Sequence, residues 1–339
     1  MSKALAKRVG SLIRKTYKGL WLLCQVFLIV WAGLAISYSN LPSKPFRLAL
    51  AIVFMAFGVW TLWFSRNRRM RWVLALAFLG VVGWWLSIRP SLDRVWRPEV
   101  AVMPRAIING DCVRLVGFRD FDYRSTDDFT VRYEDREVCL TNLVSVDLFI
   151  SYWHPGVVAH TFVSFCFDNA PPVCISIEVK PELGKSFSVI PSFFKQFLLI
   201  YVVGDERDLV RVRTNFRHED VYLYHIRTTP ESARQLFQIY LERINKLADH
   251  PEFYHLLKNS CTVNIVRYAN AVGRKGGFDY RHVLNGLVDR YLYAKGYLDT
   301  SLPFAELRRR SRINEAAQAA DQAADFSERI RASLPKPPP

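Results

Sequence analysis

Three apolar runs, at residues 20–37, 46–64 and 72–88, constrain this chain more than any other feature. Each is about the length that a helix needs to cross a hydrocarbon core, and apart from Arg47 at the edge of the second run none carries a charge. A cleaved leader does not account for the first run, which is too long, lacks a small-residue cleavage site and is followed by two more. The sequence therefore predicts three transmembrane helices. Lys3, Lys7, Arg8, Arg14, Lys15 and Lys18 precede the first run, and Arg66, Arg68, Arg69 and Arg71 fill the second loop, against only Lys44 and Arg47 in the first. This asymmetry puts the N-terminus in the cytoplasm, and an odd number of spans puts everything after Arg89 on the other side. Trp60, Trp63, Trp72, Trp84 and Trp85 fall near the run ends, where indole rings favour the headgroup region. The net charge of +15 is thereby explained largely by topology and the membrane surface, without a nucleic-acid partner.

Beyond the anchor (1–88) and a Pro- and Arg-containing linker (89–105), whose Trp96 is expected at the membrane interface, a folded domain is expected over 106–300. Strand-like stretches occur at 112–118, 129–133, 137–151, 208–214 and 220–227, whereas 193–203 reads equally as a helix or a buried strand. Thr228 or Thr229 followed by Pro230 and Glu231 starts an amphipathic helix with Phe237, Tyr240, Leu241, Ile244 and Leu247 on one face. Strands first and helices later indicate an α+β domain. Residues 301–339 read as a polar helix and a Pro-rich end.

The chemistry is concentrated in AHTFVSFCFDNAPPVCISIEVK, residues 159–180. Two alternating stretches flank Asp168, Asn169, Pro171 and Pro172, the signature of a hairpin. Period two places His160, Phe162, Ser164 and Cys166 on one face, with Cys174, Ser176 and Glu178 on one face of the return strand. Antiparallel pairing sets Ser164 opposite Cys174 and His160 opposite Glu178. A carboxylate there orients the imidazole and favours its cation. About a hundred residues on, Cys261 follows Asn259 and Ser260, both N-cap types, and precedes an apolar-periodic run, so it opens a helix. A thiol at a helix N-terminus beside an imidazolium is activated twice over. The alternative is a core histidine and a small buried cysteine.

Of the six cysteines, Cys24 lies in the first span, leaving five outside; a disulfide joins either Cys166 to Cys174 or Cys112 to Cys139. No metal-ligand spacing, phosphate loop or dinucleotide fingerprint occurs in the sequence, so no metal or cofactor is expected. Two charged clusters stand out, FRDFDYRSTDDF with Tyr123 and GDERDLVRVRT with Glu206 and Arg207. They read as structural ion pairs or as polar support or substrate headgroup contact around the site.

FRDFDYRS, AHTFVSF, SIEVK, YVVGDERDLVRVRTNFR, VYLY, INKLADHPEFYHLL and SCTVNI, in this order, resemble the bacterial Lnb N-terminal periplasmic domain family. That family is similar to circularly permuted NlpC-type papain-like folds, which include the lecithin-retinol acyltransferases and in which the histidine strand precedes the cysteine helix. The resemblance implies a periplasmic domain held at the bacterial inner membrane, with Cys261 as nucleophile, His160 as acid and base, and Glu178 orienting the histidine. Asn259, Ser260, Ser164, Ser176, Tyr123, Glu206 and Arg207 are the supporting candidates. The family usually reads Asn-Cys-Thr-Thr at the nucleophile, and here Ser260 stands between Asn259 and Cys261. The activity implied is transfer of a fatty acyl chain from a membrane phospholipid to a lipoprotein amino terminus. Two alternatives are a cell-wall peptidase or amidase and a membrane-anchored binding module without catalysis.

Overall fold

The computed structural model describes residues 3–335 apart from 275 and 278, with side chains from residue 10 onward apart from 11. The side chains of Lys3, Lys7 and Arg8 and the end 336–339 lie outside the described residues. The chain forms two compact units, 1–90 with 188–196, and 91–187 with 197–339.

The first unit is helical: α1 (Lys3–Ser37), α2 (Lys44–Val59, extended by a π turn to Phe64) and α3 (Arg68–Ser87). All three are long and apolar enough to cross a membrane. Ser43 and Asn67 cap α2 and α3 with their side-chain oxygens, which fixes where the spans begin after each loop. Most of their apolar side chains, Leu20, Phe27, Leu48, Val53 and Leu76 among them, face outward, as suits a lipid solvent. Small residues bring α1 and α2 close: a Cβ on Gly33 would lie 2.6 Å from the Met55 sulfur. The segment 188–196 belongs to this unit. Its Phe194 stacks on Tyr38 at 5.8 Å, and Lys195 donates to the backbone oxygens of Trp85 (2.8 Å) and Ile88 (3.1 Å) at the end of α3.

The second unit is α+β. Its strands are β1 (Arg105–Asn109), β2 (Cys112–Arg119), β3 (Asp122–Tyr123), β4 (Phe129–Thr130), β5 (Tyr133–Cys139), β6 (Leu143–Tyr152), β7 (His160–Phe167), β8 (Val173–Lys180), β9 (Leu198–Gly204) and β10 (Asp220–His225). Eight of them form one sheet in the order β1-β2-β9-β8-β7-β6-β10, with β5 also paired to β2. The β2–β9 contact is a single parallel pair, Arg119 with Gly204, and a Cβ on Gly204 would lie 2.5 Å from the Arg119 carbonyl oxygen, so only glycine fits. The helices are α4 (Glu206–Leu209), α5 (Pro230–Asp249), α6 (Cys261–Ala271), α7 (Val288–Ala294), α8 (Phe304–Ser311), α9 (Asn314–Ala319) and α10 (Phe326–Arg329).

On one face of the sheet Val163, Phe165, Ile175 and Ile177 pack against Phe237, Tyr240 and Leu241 of α5 and Tyr268 of α6. The α5 helix starts as expected: Thr229 accepts from the Ser232 amide, and all five anticipated apolar residues are buried. The opposite face carries Phe149, Phe162, Cys174, Ile200 and Leu223, and is covered by Ile313, Ala317, Phe326 and Ile330 from the C-terminal segment.

Several expectations are revised. The segment 193–203 resolves as strand β9 from Leu198, all seven residues buried. The expected strand at 208–214 is instead α4 followed by a π-helical turn, Val212–Phe216. There the alternating Val and Arg mimic a strand, but Asp205 accepts from the Arg207 amide and acidic side chains occupy the first turn, both of which favour a helix start. Residues 137–151 divide at a 3₁₀ turn, Leu140–Asn142. After Pro303 the chain is three short helices rather than one polar helix. Burying each Ile or Phe contributes roughly 1.5–3 kcal/mol, so this segment is part of the core. The disulfide joins Cys112 to Cys139, directly opposed in β2 and β5, whereas Cys166 and Cys174 are free. Trp96 packs within the second unit, its ring 4.9 Å from the buried Lys180 ammonium.

Candidate active site

Strands β7 and β8 pair in the anticipated register, Ser164 with Cys174, but their ladder runs only from Val163–Ile175 to Phe165–Val173. Toward His160 they part, although β6 still pairs with β7 as far as Ser151–His160 and β9 with β8 as far as Leu198–Lys180. The sheet is therefore split beside His160, and the split holds the polar groups. Ser176 Oγ donates to Glu178 Oε1 (2.7 Å) and so is free to accept from His160 Nε2 (2.7 Å). The same carboxylate oxygen lies 3.1 Å from His160 Nε2 and accepts from Arg213 Nη2 at 2.6 Å. With Nε2 committed, Nδ1 is the nitrogen left for the thiol. His160 also stacks on Phe162, with centroids 5.6 Å apart, and the Arg213 guanidinium lies 4.7 Å from the Phe162 centroid.

Cys261 is the first residue of α6, buried beside the His160 imidazole and Thr161, both of which favour its thiolate. The N-cap Ser260 makes no side-chain cap, so its hydroxyl does not occupy the amides of the first turn. Asn259 braces the preceding loop instead, accepting from the His255 amide (2.6 Å) and donating to the Phe253 carbonyl (3.0 Å). Thr161 points to the sheet face opposite His160 and meets Thr262 at 2.8 Å, which seats α6 on β7. Asn285 completes the arrangement. Its amide nitrogen donates to the Ala159 carbonyl (2.6 Å) and to Thr262 Oγ1 (3.0 Å) and lies 3.7 Å from Cys261 Sγ, while its oxygen accepts from the Ala159 amide (2.9 Å).

The electrostatics follow from this geometry. Burial opposes charge on His160, but Glu178 and Cys261 outweigh it and raise the imidazole to about 9. Burial likewise opposes the Cys261 thiolate, and the His160 imidazolium, helped by Thr161, lowers it to about 6. Glu178 is held well below the usual carboxylate range: burial opposes its charge, and His160 and Arg213 overcome it. Cys166 and Cys174 go the other way, both raised chiefly by burial. Between about pH 6 and 9 the pair is thus a thiolate and an imidazolium, a nucleophile beside a proton donor.

Of the anticipated residues, Cys261, His160, Glu178 and Ser176 come together, and Asn259 and Ser260 sit at the helix start. Ser164 is buried one register step from the split, opposite Asp147 and Cys174. Tyr123 lies in an aromatic cluster with Phe121 and Phe129, Glu206 pairs with Arg331, and Arg207 reaches Gln322. None of these four contacts Cys261 or His160. Asn285, Thr161 and Thr262 escaped the sequence reading, the first because an Asn-Gly step reads as a turn and nothing local connects it to Ala159, whereas Arg213 belongs to the charged cluster noted there.

An apolar pocket lies between α6 and α7 on the Thr161 face of β7, its mouth open to solvent and its empty volume about 480 Å³; it reaches Thr262, the residue after Cys261, but neither Cys261 nor His160 lines it. Leu148, Ile265, Val266, Val288 and Leu292 line it, with Thr161 and Thr262 on the side next to Cys261.

The resemblance read from the motifs holds: residues 129–286 match the family model described as the Lnb N-terminal periplasmic domain. The match spans His160, Glu178, Cys261 and Asn285. With the three apolar helices it indicates a membrane-anchored protein carrying a periplasmic domain. No curated protein and no solved structure matches the chain.

Proposed function

From a chain whose residues 129–286 match the Lnb N-terminal periplasmic domain, we propose a thiol acyltransferase that moves a fatty acyl chain from a membrane phospholipid to the amino terminus of a lipoprotein. The observation that carries the reading is the linkage of Cys261, His160, Ser176 and Glu178; an apolar pocket that begins at Thr262, next to Cys261, agrees with it. The order of the histidine strand and the cysteine helix supports a circularly permuted papain-like domain.

The Cys261 thiolate attacks the ester carbonyl carbon of the lipid, forming a C–S bond, and the carbonyl electrons move to oxygen. Backbone N–H groups in the first turn of α6 are the donors that stabilise this oxyanion. On collapse the C–O bond breaks and the imidazolium of His160 gives its proton to the departing alcohol, leaving an acyl thioester and a lysolipid. The incoming amine then attacks the thioester, passes a proton to His160 and restores the thiolate as the amide forms. Glu178 and Ser176 hold the ring in one orientation and stabilise its cation. The N-terminus lies in the cytoplasm and the domain on the periplasmic side of the inner membrane, where the anchor raises the effective concentration of lipid.

Intact mass spectrometry of the full chain purified from membranes tests the reading. The expected result is a lipid-length adduct on Cys261 that hydroxylamine removes. A chain that never acquires one, even when lipid is present and amine acceptors are withheld, refutes acyl transfer through a thioester. Peptide release from peptidoglycan without any adduct would instead assign the same residues to a cell-wall hydrolase.

A further inference from the structure

The Glu178 side of the site opens into a second pocket whose cations the acyl-transfer scheme leaves unused. It has about 660 Å³ of empty volume, open to solvent, and four guanidinium groups in its walls, those of Arg97, Arg119, Arg213 and Arg217, against two carboxylates, Glu99 and Glu178. Three of these arginines are engaged. Arg119 makes a paired contact with Asp208 (2.8 and 2.6 Å) and donates to the Glu99 carbonyl, Arg213 is held by Glu178 and the Leu209 carbonyl, and Arg97 bonds Glu99 at 2.7 Å. These ion pairs also neutralise the pocket carboxylates. Arg217 differs. Its nearest acid is Glu219 at 3.9 Å, beyond hydrogen-bond length, and its side chain, 40% exposed, makes no hydrogen bond among the described residues.

A guanidinium with unspent planar donors, backed by three more whose charges are already balanced, is suited to one singly charged oxyanion with two accessible oxygens. The pocket shares Glu178 with the relay to His160, so a group bound there lies beside the residues that act on Cys261. In a glycerophospholipid the phosphodiester is a few bonds from the ester carbonyls, so one donor molecule carries both groups. We propose that this pocket binds the headgroup phosphodiester of the acyl donor, with Arg217 as its principal contact. This rests on the acyl-transfer reading above and specifies its donor.

The test uses the full chain in nanodiscs with two donors bearing identical acyl chains, phosphatidylglycerol and diacylglycerol, and follows adduct formation on Cys261 against donor concentration. Wild type should react at lower concentrations of the phosphatidylglycerol. Arg217→Gln should raise that half-saturating concentration by roughly tenfold or more, the cost of a lost charge-assisted bond, and so collapse the preference between donors, while Arg217→Lys keeps part of it. Equal use of both donors by wild type, or an unchanged preference in Arg217→Gln, overturns the proposal and leaves acyl transfer standing. A calorimetric arm with Cys261→Ala protein in detergent titrates glycerophosphoglycerol and inorganic phosphate. Saturable binding of the former, weakened by Arg217→Gln, supports headgroup recognition; equal binding of inorganic phosphate assigns the pocket to free phosphate and overturns it. If neither donor yields an adduct, acyl transfer itself has failed, and the headgroup assignment fails with it whatever the calorimetry reports.

Discussion

Replacing His160 by alanine removes the cation that lowers the Cys261 thiol, and the structure says how far the thiol should move. With the imidazolium present the thiol titrates at about 6; an ordinary cysteine titrates near about 8.5, and burial without a partner takes it higher. The midpoint of alkylation should therefore rise by more than about two pH units. The rate at a single pH is a poorer measure. At pH 7 the thiolate fraction falls roughly thirtyfold, yet a more basic thiolate is intrinsically more nucleophilic, with a Brønsted slope of about 0.4–0.5, which returns about tenfold of the loss. The net change near neutrality is only a fewfold, and the plateau at high pH is higher in the variant. Iodoacetamide labelling of Cys261 should accordingly be followed from pH 5 to 10, with the labelled residue identified by peptide mapping and the fold checked by circular dichroism. Coincident midpoints in wild type and variant, with both folded, would refute the thiolate–imidazolium pair and return the site to a buried cysteine beside a structural histidine.

Glu178→Gln keeps the shape of the relay but removes the charge that raises His160, so turnover should fall by about 10²–10⁴ and the upper limb of its pH profile should shift to lower pH; a pH–rate series checks both. A reporter fused after Pro339 should be active only outside the cytoplasm, and activity inside would invert the orientation argued from the basic residues. Arg331 joins the buried Asp147 (2.9 Å) and Glu206 (2.6 Å), so Arg331→Ala strands the buried Glu206 and leaves Asp147 only His225 (2.6 Å), and should cost about 3–5 kcal/mol, read as a loss of thermal stability. In wild type burial opposes the Asp147 charge but Arg331 and His225 lower its titration, so its contribution is present above the unfolded carboxylate range and is lost as pH falls. Without Arg331 only His225 still opposes the effect of burial on that carboxyl, so its titration should rise relative to wild type and the deficit should shrink toward acid pH.

Local sequence carried the elements whose signals are periodic or punctuated. The three spans, the β7–β8 hairpin with Ser164 against Cys174, the α5 helix from its Thr229 cap and the opening of α6 at Cys261 all lie where alternation, helical spacing and capping chemistry put them. The same logic misread 208–214, because Val-Arg alternation and a helix capped by Asp205 compete for the same residues, and only the packing of Leu209 and Val210 with Val221 and Leu223, and of Val212 with Phe121 and Tyr123, decides between them. The C-terminal segment misled for a related reason: its apolar residues are few and spaced across three short helices, so the stretch reads as solvated until the bare face of the sheet that it covers is known.

The sequence by itself determined that this protein has an apolar three-helix anchor and an α+β domain, and it singled out His160, Glu178 and Cys261, since hydropathy, period and helix-start chemistry act over a few residues. Tertiary structure alone decided that β7 and β8 part beside His160, that Ser176 and Arg213 share the Glu178 carboxylate, that Asn285 reaches back to Ala159 and Thr262, and that Cys112 rather than Cys166 takes the disulfide. Apart from Ser176 and Glu178, which are two positions apart, those contacts join residues 16 to 126 positions apart. Their geometry is set by strand order and by the seating of α6 on the sheet, which no local pattern encodes.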